Sequence, residues 1–392
     1  MAKKKKVVLA YSGGLDTSVA IKWFMDRGYE VVCFMADVGQ GEETKTARER
    51  AIKIGAKKCI VADLKKKFAA DYAFKALKAG ALYQGKYNLA TALSRPLIAE
   101  AMIDVAKKEK ATAVAHGCTG KGNDQVRFEV TFHLKAPKLK VFAPVREWEL
   151  KTREEEIKYA KKHKLPIEQS KKKIYSIDKN LWGVSIESGV LENPWKEPPA
   201  DTYITTKRPE KAPSKAGYVT VEFAKGVPVS LNKKKYDPVK LIAKLNQIGG
   251  LHGVGRVDMI EDRLVGIKSR EVYEAPASTM LYAAHTSLEE LVLDRETRRY
   301  LKGISERYSE MIYYGLWFTP LKEALDAFID KTQERVTGEV KLKLFKGSVT
   351  ATSRKSPHSR YKVELATYGK GDVFDQSLAK GFIDLWAMPY KK

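Results

Sequence analysis

Residues 7–18 read VVLAYSGGLDTS, and no other segment restricts the fold so tightly. Val7 to Ala10 is a short, continuously apolar run, the pattern of a strand buried on both faces of a parallel sheet. Ser12, Gly13 and Gly14 follow as a small, flexible loop. After Asp16 and Thr17, the residues Val19, Ala20, Trp23 and Phe24 recur with helical spacing, and Gly28 is placed to cap that helix. A strand feeding a Gly-rich loop at a helix N-terminus aims several backbone N–H groups, and the positive end of the helix dipole, at one spot. Phosphate binds in such places. The loop matches neither GxxxxGK[ST] nor the three spaced glycines of the dinucleotide fingerprint.

The same alternation continues downstream. Glu30–Ala36 reads as a second buried strand, Glu42–Ile54 as a helix capped by Gly55, and Lys58–Ala62 as a third strand. Pro96–Lys108 is expected as a helix, Thr112–His116 as a strand, Gln125–Leu134 as a helix and Lys140–Pro144 as a strand. Strands alternating with helices imply a parallel sheet covered on both faces, with ligands at the C-terminal strand ends. Three polar, Gly-containing loops leave those ends: Ser12–Ser18, Asp37–Gly41 and Gly117–Asp124.

A proline-rich stretch, Pro194–Pro213, interrupts this rhythm. Beyond it, Tyr218–Phe223 and Val257–Val265 resemble strands, and Asp237–Ile248, Thr279–Lys302 and Leu321–Lys331 resemble helices. Glu339–Thr352 with Ser359–Ala366 reads as a hairpin. The terminal segment Gln376–Trp386 places Leu378, Phe382, Leu385 and Trp386 on one helical face, suited to docking on its own domain or on a partner subunit. The fold class expected is α/β: a parallel-sheet nucleotide-binding domain over 1–165, an α+β domain over 166–370, and a C-terminal helical arm over 371–392.

The chain has 72 Lys and Arg against 48 Asp and Glu, a formal charge of +24 over 392 residues. Such an excess raises the question of nucleic acid. The lysines are instead dispersed, with short runs at Lys3–Lys6, Lys65–Lys67, Lys171–Lys173 and Lys233–Lys235 and no interleaved aromatics. A solvated basic surface, which also draws in anionic ligands, accounts for them better than a nucleic-acid interface. Cys33, Cys59 and Cys118 are too scattered for a disulfide framework or a zinc site. With no signal-like or membrane-spanning run, the expected compartment is the cytoplasm.

Four further segments concentrate polar chemistry: YNLATALSRPLIA (Tyr87–Ala99), HGCTGKGNDQVRF (His116–Phe128), YSIDKNLWGVSIESGVLENP (Tyr175–Pro194) and GRVDMIEDRLVGIKSREVYEAP (Gly255–Pro276). SGGLDTS alone resembles the PP-loop of the N-type ATP pyrophosphatases. Together with the four segments it resembles the argininosuccinate synthase family over nearly the whole chain. The resemblance implies citrulline, aspartate and ATP with Mg²⁺ as reactants. It also implies a citrullyl-adenylate intermediate, release of AMP and pyrophosphate, and a homotetramer using the terminal helix as an intersubunit arm. Adenylylation would convert a poor urea electrophile into one with a good leaving group.

By that resemblance Ala10, Tyr11, Ser12, Gly13, Gly14, Leu15, Asp16, Thr17 and Ser18 would hold ATP, with Ala36 on the adenine side and Gly117 contacting the nucleotide by its backbone. Asp16 is too acidic to face phosphate directly, so a magnesium-mediated or loop-capping role is expected; no protein metal cluster is. Thr119, Asn123 and Asp124 match the aspartate site, Asp124 as partner of the incoming ammonium. Arg127 would take the citrulline carboxylate. Tyr87, Thr91, Ser176, Ser185, Glu261 and Tyr273 match citrulline contacts, with Glu261 facing its α-amino group. Ser12, Asp16, Asp124 and Arg127 are the residues expected to carry the reaction.

Two positions depart from the family pattern: Ala92 stands where Ser is frequent, leaving Thr91 to supply that contact, and Asp262 where Asn is common. His116 reads as structural and Cys118 as a small filler, while Lys121 meets either phosphate or solvent. The alternative reading is a PP-loop enzyme that adenylylates a tRNA base. The cysteine placement argues against thiolation, and the chain has no glutaminase signature of the amide-forming relatives. A basic RNA-binding protein without activity would leave the polar segments unexplained.

Overall fold

The computed structural model describes residues 5–41, 44–166 and 175–392. Lys3, Lys4, Glu42 and the Lys171–Lys173 run lie outside the described residues.

The first strand, β1 (Lys6–Ala10), sits at the centre of a five-stranded sheet of order β3-β2-β1-β4-β5. The other strands of this sheet are β2 (Glu30–Asp37), β3 (Lys58–Asp63), β4 (Ala113–Ala115) and β5 (Lys140–Phe142), and every pairing is parallel. Val7, Val8 and Leu9 are fully buried, as a strand covered on both faces requires. Val7 and Leu9 point into one apolar layer and Val8 into the other. The chain winds outward from β1 through β2 to β3, then returns to β4 on the other side. That reversal opens a crevice at the carboxyl ends of β1 and β4.

Helix Leu15–Asp26 follows β1, and helix Thr44–Ile54 packs beside it. Gly28 and Gly55 take positive φ after the two helices, where a side chain would be strained. Helix Arg153–Lys162 begins with a reciprocal capping box between Thr152 and Glu155 and lies against helix Leu15–Asp26.

The C-terminal part carries two antiparallel sheets. One has the order β10-β9-β8-β13-β14, built from β8 (Gly217–Ala224), β9 (Val227–Leu231), β10 (Lys234–Lys235), β13 (Gly338–Phe345) and β14 (Ser348–Lys355). The other, β11-β12-β7-β6, joins β6 (Ser176–Lys179) and β7 (Val184–Glu187) to β11 (Arg256–Asp262) and β12 (Lys268–Glu274). The largest apolar core is shared between the two parts. Phe68, Phe74, Leu93 and Leu97 from before residue 166 pack in one cluster with Val221, Leu241, Leu281 and Tyr313.

Three expected elements differ most. The helix expected at Pro96–Lys108 is longer, Ala90–Glu109, with Pro96 inside it. An interior proline costs ~3 kcal/mol, and burial of Ala90, Ala92, Leu93 and Leu97 offsets that cost. The segment expected as one helix over Thr279–Lys302 is two, Pro276–Val292 and Arg295–Tyr313. Asp294 restarts the helix, accepting the Thr297 N–H at 2.9 Å and its hydroxyl at 2.8 Å. The hairpin closes within 338–355, at Lys346–Gly347, whereas Ser359–Ala366 forms no strand and ends in a short helix, Val363–Ala366.

Helix Leu378–Ala387 forms as expected but buries none of its residues in the single chain. Leu378, Phe382, Leu385 and Trp386 are all at least 63% exposed. Among the described residues no helix is long and apolar enough to cross a membrane.

Candidate active site

A cavity of about 900 Å³ lies at the carboxyl ends of β1, β2 and β4 and is closed on its other side by the β11-β12-β7-β6 sheet. The three loops singled out above each contribute to its wall: Ser12 and Thr17, Val38 to Gly41, and Gly117 to Asp124.

The first loop is shaped by small hydroxyls. Ser12 Oγ lies 3.1 Å from Thr17 Oγ1 and accepts the Gly14 N–H at 3.3 Å, and Tyr11 hydroxyl meets Ser18 Oγ at 3.2 Å. Gly13 has φ +80°, and a Cβ there would stand 2.8 Å from Ala47 Cβ. Opposite it, a Cβ on Gly117 would reach within 2.9 Å of Thr17 Cγ2. Both glycines leave room for these side chains to close around the first turn of the helix, where N–H groups lack intrahelical acceptors. An anion fits that cradle.

Of the expected nucleotide residues, Ala10, Tyr11, Ser12, Thr17, Ala36 and Gly117 line the cavity. Gly13, Gly14, Leu15, Asp16 and Ser18 do not; Ser18 is fully buried behind the loop. Asp16 lies instead against Glu156 of helix Arg153–Lys162, whose carboxyl is pushed up to about 8 by burial and by the Asp16 charge. Its position therefore favours bracing the loop over direct work at phosphate. No group of three or more His, Cys, Asp or Glu among the described residues is arranged to hold a metal.

The amino-acid end is denser. Tyr87, Thr91, Thr119, Asn123, Asp124, Arg127, Ser176, Ser185, Glu261 and Tyr273 all border the same cavity. Tyr87 hydroxyl accepts the N–H groups of Thr91 (3.1 Å) and Ala92 (3.4 Å), and its ring stacks on Tyr273 with centroids 4.1 Å apart. Ala92 thus contributes through its backbone. Glu261 accepts Tyr273 hydroxyl and Tyr313 hydroxyl, each at 2.5 Å. Arg127 donates from Nη1 to Asp124 Oδ1 at 2.8 Å and from Nε to the Tyr313 carbonyl at 2.9 Å. Its Nη2 is buried without a hydrogen-bond partner, a costly state that an incoming acceptor would relieve.

Several wall residues were not singled out from the sequence, although most lie inside the quoted segments. Arg95 bridges Asp124, at 2.8 Å from Nε, and Asp178. Burial alone would raise the Asp124 carboxyl, but Arg95 and Arg127 together hold it below the usual range. Asp178 is raised, since burial and the nearby Asp124 charge outweigh Arg95. Arg263 joins Glu187 to Glu271, the latter at 2.8 Å. Burial, then the charges of Glu187 and Glu261, push Glu271 up to about 8. Tyr313, which ends a helix just behind this wall, could not be found from any local pattern.

His116 bonds Glu129 at 3.1 Å and accepts the Cys118 N–H at 3.2 Å, a structural brace as expected. Burial, then the Asp124 charge, raise the Cys118 thiol, which suits filler and not a nucleophile.

Comparison with known proteins places this arrangement. A family model described as the arginosuccinate synthase N-terminal HUP domain matches residues 6–166, and one for the arginosuccinate synthase C-terminal domain matches 175–392. The chain belongs to the argininosuccinate synthase family. Curated argininosuccinate synthases from Aquifex aeolicus (strain VF5) and Carboxydothermus hydrogenoformans are 56% and 54% identical. The alignments cover 99% of this chain in both cases, and 98% and 97% of those proteins. Among solved structures, a 4-thiouridine synthetase–RNA complex with bound ATP aligns at a TM-score of 0.30 and 17% identity, over 41% of this chain and 40% of its own. That likeness carries nothing further for this chain.

One pH dependence follows from Glu271. A carboxyl whose folded pKa is raised binds its proton more tightly folded than unfolded, so it stabilises below about 4.3 and loses that contribution as pH climbs through about 8. Glu271→Gln removes the effect. Its stability relative to the parent should therefore rise between pH 5 and 8 and level off above, by urea unfolding at fixed salt. A constant difference across that range would exclude the assignment.

Proposed function

We propose that this chain joins citrulline to aspartate, with cleavage of ATP to AMP and pyrophosphate. Similarity to curated argininosuccinate synthases over 99% of the chain carries the reading, since it spans all three sheets and every loop of the cavity. In the first step the ureido oxygen of citrulline bonds to the α-phosphorus, the α–β bridge breaks, and pyrophosphate leaves. In the second, the aspartate amine bonds to the ureido carbon, the C–O bond to AMP breaks, and a proton is lost.

The protein's part is placement and charge compensation. The cradle at Ser12–Thr17 suits the triphosphate, and the Gly117 backbone suits the nucleotide opposite it. Magnesium enters this scheme as the counter-ion of ATP, held largely by the phosphates themselves. Arg127 suits the citrulline carboxylate: its unpartnered Nη2 is the feature that supports this role. Glu261, already accepting two phenols, offers remaining lone pairs to the α-ammonium. Thr119 and Asn123 suit aspartate. Asp124 takes part from a fixed position, both its oxygens bonded to arginines, with lone pairs left for an ammonium.

The bare apolar face of helix Leu378–Ala387 supports a homotetramer in which that helix docks on a neighbouring subunit. We place the enzyme in the cytoplasm.

The deciding experiment measures pyrophosphate release from ATP and Mg²⁺, with citrulline and aspartate supplied separately and together. Sustained release with both, and AMP in equal amount, is expected. Silence with both, and release on adding tRNA, would move the chain to the RNA-modifying reading. Arg127→Ala should raise the citrulline KM by about tenfold or more, the scale of a lost charged hydrogen bond, while the ATP KM changes by less than about twofold. Equal damage to both would remove the assigned role. Truncation before Gln376 should lower the mass by light scattering to that of a smaller assembly; an unchanged mass would separate the helix from assembly.

A further inference from the structure

Tyr313 ends helix Arg295–Tyr313, is completely buried, and does not line the cavity. It nevertheless touches three residues of the proposed amino-acid site. Asn123 Nδ2 donates to its hydroxyl at 2.8 Å, its hydroxyl donates to Glu261 Oε1 at 2.5 Å, and its carbonyl accepts Arg127 Nε at 2.9 Å. The Arg127 guanidinium also stands 4.8 Å from the Tyr313 ring centroid.

The direction of each bond is forced. The Leu264 backbone N–H can only donate, and it does so to Asn123 Oδ1 at 2.9 Å. That fixes the amide, so Nδ2 is the edge that faces Tyr313. The phenol, receiving that N–H, gives its own proton to Glu261. Tyr273 gives its proton to the other oxygen. Burial, then the Glu261 charge, raise the Tyr313 hydroxyl above its ordinary range, so it keeps the proton it donates.

The backbone around it is equally committed. The last carbonyls of a helix lack intrahelical donors and carry the negative end of its dipole, so a guanidinium N–H is well matched there. Gly315 turns the chain at φ +76°, and a Cβ on it would lie 2.8 Å from Arg127 Cα. The ring itself is locked by stacking on Tyr83, with centroids 3.6 Å apart.

We infer that Tyr313 is a positioning residue for the amino-acid half of the reaction, aligning Asn123, Glu261 and Arg127 through one side chain and its own carbonyl. This rests on the citrulline reading above. The test is Tyr313→Phe, which keeps the stacked ring and removes only the hydroxyl, leaving Asn123 Nδ2 and Glu261 Oε1 without that partner. The citrulline KM should rise about tenfold or more, with the ATP KM and the rate at saturating citrulline within about twofold of the parent. Adding Tyr313→Phe to an Asn123→Ala background should raise the citrulline KM far less than it does alone. An unchanged citrulline KM, parallel losses for citrulline and ATP, fully additive effects, or a Phe variant too unstable to assay would each overturn the inference. A parent enzyme silent with citrulline and aspartate would instead overturn the functional reading, before any variant is compared.

Discussion

Charges withdrawn from water must find partners, and the site of this protein is organised around that demand. Asp124 sits between Arg95 and Arg127, Arg95 reaches on to Asp178, and Arg127 leans on the carbonyl of Tyr313. Apart from the Asp124–Arg127 pair, which lies within one helix, each link crosses from one structural element to another. The helix Asp124–Lys135 of the parallel-sheet unit is thereby tied to the helix Ala90–Glu109, to β6 and to the end of Arg295–Tyr313. The cavity exists because these groups hold one another apart as well as together. One guanidinium nitrogen, Arg127 Nη2, remains without a hydrogen-bond partner.

The apolar core follows the same partition. The sheet around β1 has its own two layers, whereas the largest cluster gathers Phe68 to Leu97 with residues from the C-terminal sheets. The two halves are therefore joined by burial that reaches the cavity wall at Tyr87 and Tyr273, and by hydrogen bonds behind that wall. Asn88 Nδ2 bonds the Trp182 carbonyl at 2.9 Å, and Asn180 Nδ2 bonds the Ala90 carbonyl at 2.8 Å. These contacts leave the facing loops little freedom to drift.

Legibility in the sequence followed how local each signal was. β1, its loop and the helix after it were readable because apolar run, glycines and helical spacing occur within a dozen adjacent residues. The segments carrying Asn123, Arg127, Glu261 and Tyr273 were readable as sets. Arg95, Asp178 and Arg263 lay inside those sets yet gave no sign of being paired, because pairing depends on elements far apart in the chain. Tyr313 sits in an amphipathic helix, where a tyrosine reads as core. The same limit explains the helix boundaries: Asp294 was hidden in a continuous periodic pattern, and Pro96 masked a helix that tertiary packing sustains through it.

The close approach of Gly315 to Arg127 also has a meaning in time. A ribosome releases the chain from its N-terminus, and the parallel sheet with its phosphate loop is complete by about Phe142. Arg127, though already made, has no acceptor for its Nε until the corner at 313–315 emerges. The nucleotide cradle can thus form on a nascent chain well before the amino-acid pocket does. The two ends of the cavity are therefore set by stretches of chain that leave the ribosome at different times.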